Sequence, residues 1–96
     1  MAANEDKAQE HEKLKKDLAF CETRLKELKG KKPDEKFDQD LEEIAGELKS
    51  CRVELDELEG RSGDEWVDAK HGITRKLEDV QRSLQLTTRR MADYIR

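Results

Sequence analysis

Residues 37–58 read FDQDLEEIAGELKSCRVELDEL, and their apolar side chains recur at alternating steps of four and three residues. This spacing keeps a narrow stripe on one side of an α-helix, whereas a half-buried β-strand would alternate at every second residue. Three heptads of it are typical of a helix that packs lengthwise against other helices. We call such a stripe a seam, and this one consists of Phe37, Leu41, Ile44, Leu48, Cys51, Leu55 and Leu58.

A second and a third seam lie on either side of this one in the chain. The earlier seam consists of Leu14, Leu18, Cys21, Leu25 and Leu28. The later seam consists of Trp66, Ile73, Leu77, Val80, Leu84, Thr87, Met91 and Tyr94. All three have the same spacing, so the chain contains three helices that each present one stripe for burial.

Residues that favour helix ends separate the three seams. Gly30 suits the end of the first helix, and Pro33 is tolerated at the first position of the next. Gly60 suits a left-handed residue after the second helix, and Ser62 with Glu65 forms a capping box for the third. The chain is thus predicted to be all-α, an antiparallel up-down-up three-helix bundle or coiled coil, with helices at about residues 4–30, 33–59 and 63–95.

Turns at Lys31–Lys32 and at Arg61 bring the three seams into layers. The predicted layers are Leu14 with Cys51 and Ile73, Leu18 with Leu48 and Leu77, Cys21 with Ile44 and Val80, Leu25 with Leu41 and Leu84, and Leu28 with Phe37 and Thr87. Cys21 and Cys51 then lie one heptad apart, about 10 Å along the axis. That separation is too large for a disulfide, so both cysteines are expected to be buried free thiols, with a redox-linked crosslink as the alternative.

The composition argues against an enzyme. Charged residues make up 46% of the 96-residue chain and hydrophobic residues 33%, against about 25% and about 45–50% in an ordinary globular domain. Such a chain has too little apolar material to enclose an active site, so we expect no catalytic residues, no cofactor and no metal. His11 and His71 are interpreted as solvated side chains. Residues 1–96 are expected to form a single domain with a flexible N-terminus at 1–3.

The sequence also predicts a cytoplasmic location. It contains no apolar run of about 18 residues that would span a membrane, and its first ten residues have no apolar stretch typical of a signal peptide.

Both ends of the predicted bundle leave apolar residues without a partner. In the predicted layers Met91, Tyr94 and Ile95 have nothing opposite them, and Trp66 lies at the other, thinly covered end. Apolar ends of this kind are typical of contact with a second subunit. We therefore predict an oligomer interface at Trp66, Met91, Tyr94 and Ile95, in a non-catalytic interaction or structural protein that acts as a homo-oligomer or binds another protein.

The charges suggest an alternative function. Residues 33–63 carry 4 basic and 11 acidic side chains, whereas basic residues gather near the Gly30 turn. That basic end is a candidate for an anionic surface, either nucleic acid or acidic lipid. Acidic residues at the same end and a pI near 5.3 argue against either partner. The candidate anion-binding residues are Lys29, Lys31, Lys32, Arg89, Arg90 and Arg96.

A short motif opens the third helix. A Ser-Gly-acid turn at 62–64 is followed by Trp66, by Lys70 and Gly72, and by apolar residues at 73, 77 and 80. This order resembles that of small bacterial coiled-coil proteins associated with stress responses. The resemblance implies a helical fold and a stress-linked role, and it implies no catalytic residues.

Overall fold

A computed structural model describes the backbone of residues 2–95 and the side chains of residues 7–95. Three long helices account for nearly all of this range: α1 (Ala2–Lys31), α2 (Asp38–Leu58) and α3 (Gly63–Ile95). A single 3₁₀ turn, Glu35–Phe37, precedes α2, and no strand occurs between residues 2 and 95. The prediction of an all-α protein with three helices is confirmed.

Contacts between side chains give the direction of α2 relative to α3. Lys76 of α3 donates to Glu54 near the end of α2 at 2.7 Å. Arg90, later in α3, donates to Asp40 near the start of α2 at 3.1 Å. The residue numbers of these partners rise along α3 and fall along α2, so the two helices are antiparallel.

α1 runs parallel to α3. Its Glu10 lies 3.5 Å from Lys70, and further along both helices Gln81 lies close to the Cys21 thiol. The three helices therefore form the predicted up-down-up bundle, a rod of 54 × 19 × 16 Å.

The seams of the three helices form one continuous core. All fifteen residues assigned to the predicted layers are at most 7% exposed. Leu55, Leu58, Trp66 and Met91 extend the core towards the two ends of the rod. At about 25 cal/mol per Å² of buried apolar surface, this core supplies the main stabilising term of the fold.

The pairing of the layers differs from the prediction, because α2 is displaced along the rod by one seam position. Lys76 donates to both Ser50 and Glu54 of α2. Its neighbour Leu77 is therefore level with Cys51, one seam position away from its predicted partner.

Contacts between α1 and α2 indicate the same displacement of α2. His11 Nε2 lies 3.3 Å from the Leu55 carbonyl oxygen and 3.6 Å from Glu59, so Leu14 is level with Leu55. These contacts give the layers Leu14 with Leu55 and Ile73, Leu18 with Cys51 and Leu77, Cys21 with Leu48 and Val80, Leu25 with Ile44 and Leu84, and Leu28 with Leu41 and Thr87.

The connection between α1 and α2 explains the displacement. Helix α2 begins at Asp38 and not at the predicted Pro33. Asp34 is extended, and its carboxylate accepts from the Lys36 amide at 2.8 Å. This bond supports the single 3₁₀ turn that ends at Phe37. The chain therefore turns back near Asp34, later than the predicted turn at Lys31–Lys32.

The connection between α2 and α3 also differs in one detail. The glycine with positive φ is Gly63, at +58°, and not Gly60 as predicted. Amides of Gly60 and Arg61 donate to the carbonyls of Glu57 and Leu58. These bonds satisfy carbonyl groups that the end of α2 would otherwise leave without a partner.

No helix in the described part of the chain is both long enough and apolar enough to cross a membrane.

Candidate functional site

Met91 and Tyr94 have partners within the chain, contrary to the prediction. Met91 is 5% exposed and belongs to the core. The Tyr94 ring packs edge-on against Phe37, with ring centroids 5.7 Å apart. The displacement of α2 accounts for this contact, because it moves Phe37 one seam position further towards the end of α3.

Tyr94 is also anchored by a hydrogen bond across the bundle. Its hydroxyl donates to Asp34 Oδ2 at 2.8 Å, and the Lys36 ammonium lies 4.2 Å from the centre of its ring. The bond to Asp34 raises the pKa of Tyr94. The pKa of Asp34 is lowered, chiefly by the Lys36 amide and then by Tyr94.

A spectrophotometric titration can test this anchor, because Tyr94 is the only tyrosine in the chain. We expect its pKa to lie above the ordinary value of 10.0 and to fall towards it in Asp34→Asn. Since the folded pKa is raised, the hydrogen bond stabilises the fold fully below pH 10 and is lost as the pH rises through the folded pKa. Glu35→Gln removes a neighbouring carboxylate that does not hold Tyr94 and should leave the titration unchanged. Equal midpoints for wild type and Asp34→Asn would contradict the anchor.

Trp66, at the opposite end of the rod, is covered by lysines of its own chain. It is 9% exposed, and the ammonium groups of Lys7 and Lys70 lie 5.5 and 5.6 Å from its ring centroid. Of the four predicted interface residues, Tyr94 at 44% and Ile95 at 70% are the exposed ones. The oligomer interface itself stays a prediction.

A stripe on α3 that the sequence analysis did not single out is exposed over most of its length. Its positions recur every seven residues, with a second row between them at steps of four and three. The stripe consists of Val67, His71, Thr74, Glu78, Gln81, Gln85, Thr88, Ala92 and Ile95. We call it the α3 stripe, and Glu78 is its one acidic or strongly basic member.

Hydrogen bonds within α3 make the α3 stripe less polar than its composition indicates. The hydroxyls of Thr74 and Thr88 donate to backbone carbonyls four residues earlier, at 2.9 and 2.7 Å. Their hydrogen-bonding capacity is therefore partly used within the helix. Val67 and Ile95, at the two ends of the stripe, are 43% and 70% exposed. The seven-residue recurrence of uncharged side chains was the signal in the sequence that would have located it.

The predicted anion-binding residues do not form one group. Lys32 pairs with Asp38, and Arg90 pairs with Asp40. Lys29 belongs to a groove between α1 and α2, described next. Lys31 at the end of α1 and Arg89 in α3 are exposed, and Arg96 lies outside the described residues.

Basic residues converge instead in a groove of about 320 Å³ between α1 and α2. Its floor is apolar, and its one acidic residue, Glu22, is bound by Arg52, whose Nε donates to it at 3.1 Å. We call this the basic groove; it is lined by Glu22, Leu25, Lys26, Lys29, Ala45, Leu48, Lys49 and Arg52.

Acidic residues line the other side of α2, where it meets α3. A groove of about 450 Å³ lies there, and one basic residue, Lys76, is bound to Glu54 beside it. We call this the acidic face; it is lined by Glu43, Gly46, Glu47, Ser50, Lys76 and Asp79. A second groove of about 470 Å³ continues the acidic character towards the Gly60 turn through Glu54, Glu57, Glu65 and Asp68.

The two histidines and two cysteines were the candidates for metal binding or redox chemistry, and the structure gives them no such site among the described residues. His11 is not solvated as predicted, because its side chain is 15% exposed and its Nε2 donates to the Leu55 carbonyl near the end of α2. His71 is exposed, as predicted. Burial raises the pKa of both buried cysteines, that of Cys51 to about 11. Among the side chains of residues 7–95, no three of the types His, Cys, Asp and Glu are grouped so as to hold a metal ion.

Comparison with known proteins gives no relative: no family model, no curated protein and no solved structure matches this chain.

Proposed function

We propose that the protein is a non-catalytic helical interaction protein that acts as a homo-oligomer in the cytoplasm. The observation that carries this proposal is the α3 stripe, a nearly uncharged, exposed surface in a chain of which 46% is charged. The cores of protein interfaces are depleted in charged residues in the same way. A stress-linked role belongs to the proposal only through the motif at 62–80.

The length and spacing of the stripe support contact with another helix. It extends from Val67 to Ile95 along α3, and its heptad spacing is the spacing that lets one helix follow another. Gln81 lies close to Cys21, so the stripe runs beside α1. There Phe20, the neighbour of Cys21, is 62% exposed and adds an apolar side chain to the same surface.

The alternative function is binding of an anionic surface through the basic end. Pairing of Lys32 with Asp38 and of Arg90 with Asp40 weakens this alternative, because charges that are already paired contribute less to a phosphate contact. Three lysines of the basic groove, Lys26, Lys29 and Lys49, have no carboxylate of the described residues within 4.0 Å, and the occupant of this groove is considered below.

Charge introduced into the α3 stripe should disrupt the oligomer. For the double variant Val67→Glu with Ile95→Glu, we expect multi-angle light scattering to give a mass shifted towards the 11.2 kDa monomer, because two carboxylates would have to be desolvated in the contact. The matched control is Val53→Glu, which alters a valine that is 51% exposed on α2 and should keep the wild-type mass. Met91 is left unchanged because it is buried, and circular dichroism should give equal helix content for all variants.

Two results would count against the proposal. One is a wild-type mass of 11.2 kDa at every concentration tested. The other is an oligomer whose mass does not change in the double variant.

A further inference from the structure

The basic groove and the acidic face have opposite charge and lie on opposite sides of α2 at the same height. The groove takes Ala45, Leu48, Lys49 and Arg52 from α2, and the face takes Glu43, Gly46, Glu47 and Ser50 from the same stretch. Neighbouring copies can therefore bring the two surfaces together by lying side by side, with no shift along the rod.

We propose that the basic groove binds the acidic face of a second copy of the chain. This contact rests on the proposed homo-oligomer and names a surface for it that is separate from the α3 stripe. The contact is heterologous, since each copy contributes a different surface. In a pair of copies, one copy therefore keeps an unoccupied acidic face and the other keeps an unoccupied basic groove. Further copies can join until the assembly closes into a ring or extends.

The charges of both surfaces are available for this contact. Lys26, Lys29 and Lys49 each have no carboxylate of the described residues within 4.0 Å, in contrast to Arg52, which is bound to Glu22. All three lysines are exposed. Their ammonium groups thus point to a partner that brings carboxylates of its own.

The acidic face supplies such carboxylates. Glu43 and Glu47 are exposed, and no cation of the described residues lies within 4.0 Å of either. Asp79 is at 4.0 Å from Arg82, the limit of an ion pair. The methylene stems of the two glutamates can cover the apolar floor of the groove while their carboxylates reach the lysines at its rim.

Charge reversal with complementation tests the contact. The groove variant carries Lys26→Glu and Lys49→Glu, and the face variant carries Glu43→Lys and Glu47→Lys. Alone, each presents two surfaces of like charge, so we expect association at about 50 mM salt to weaken at least tenfold. An equimolar mixture should regain it, because the reversed groove then meets the reversed face. Lys16→Glu with Lys31→Glu changes the net charge as much as the groove variant does, at exposed sites outside it, and should associate like wild type.

Sedimentation velocity distinguishes the outcomes. Variants that associate like wild type, or a mixture that regains nothing, would overturn the groove contact and leave the homo-oligomer standing. A wild type that stays at 11.2 kDa at about 50 mM salt would overturn both. Duplex DNA or phosphatidylserine vesicles that bind wild type and the face variant, but not the groove variant, would assign the groove to a polyanion and overturn the contact with a second copy.

Discussion

Val80→Asp is expected to unfold the protein at neutral pH. Val80 is 0% exposed and lies in the middle of the core, in the layer of Cys21 and Leu48. An Asp there would place a carboxylate among apolar side chains with no cation to pair with, which costs several kcal/mol. Natural domains are stable by only about 5–15 kcal/mol, and a rod with a narrow core belongs to the lower part of that range. The helical signal at 222 nm should therefore be largely lost, and the urea transition with it.

Val53→Asp is the matched control for this substitution. It makes the same change within a helix, at a residue that is 51% exposed, so the loss of helix propensity is equal and the desolvation is absent. We expect its free energy of unfolding to fall by no more than about 1 kcal/mol. If the two variants melted alike, burial of Val80 would not be what stabilises the bundle.

The core of this bundle was predictable because burial follows spacing. The recurrence at steps of four and three places Leu18, Ile44 or Val80 on the buried side of its helix whatever the neighbouring helices do. A single chain with two short connections then has few ways to bring three such stripes together. Every seam residue in the five predicted layers is buried for this reason.

The register of α2 could not be read from the same spacing. A displacement by one seam position again places apolar residues opposite apolar residues, so the two alignments have equally good patterns. The bond from the Lys36 amide to Asp34 decides between them, by inserting a 3₁₀ turn before Asp38. That bond depends on the local geometry of a few polar residues after Pro33.

The candidate surfaces were harder to predict because they depend on this register. The pairing of Arg90 with Asp40, and of Lys32 with Asp38, requires α2 in its observed position. The basic groove likewise needs Lys26 and Lys49 on facing sides of α1 and α2. When the charges are grouped by their distance from the turns, they predict one basic end of the rod. In the structure they are grouped instead by the side of the helix on which they lie, which gives a basic groove and an acidic face.

Both cysteines are expected to be strongly protected from thiol reagents in the native state. Each is 0% exposed, and burial raises the pKa of Cys51 from 9.0 to about 11. A reagent reaches the sulfur only when the bundle opens, so the free energy of opening sets the rate of labelling. We therefore expect labelling by dithionitrobenzoate to be at least about 1000-fold slower in buffer than in urea, because opening a domain that is stable by about 5 kcal/mol protects its thiols to that extent.

Single-cysteine variants connect this protection to the register. Cys21 and Cys51 lie in adjacent layers near the middle of the rod, so the same opening should release both thiols. Cys21→Ala and Cys51→Ala, which each retain one thiol, should thus label at similar rates. Rapid labelling of either variant in buffer would contradict its burial. A large difference between them would mean that the bundle opens from one end, and that the two cysteines do not share one cooperative core.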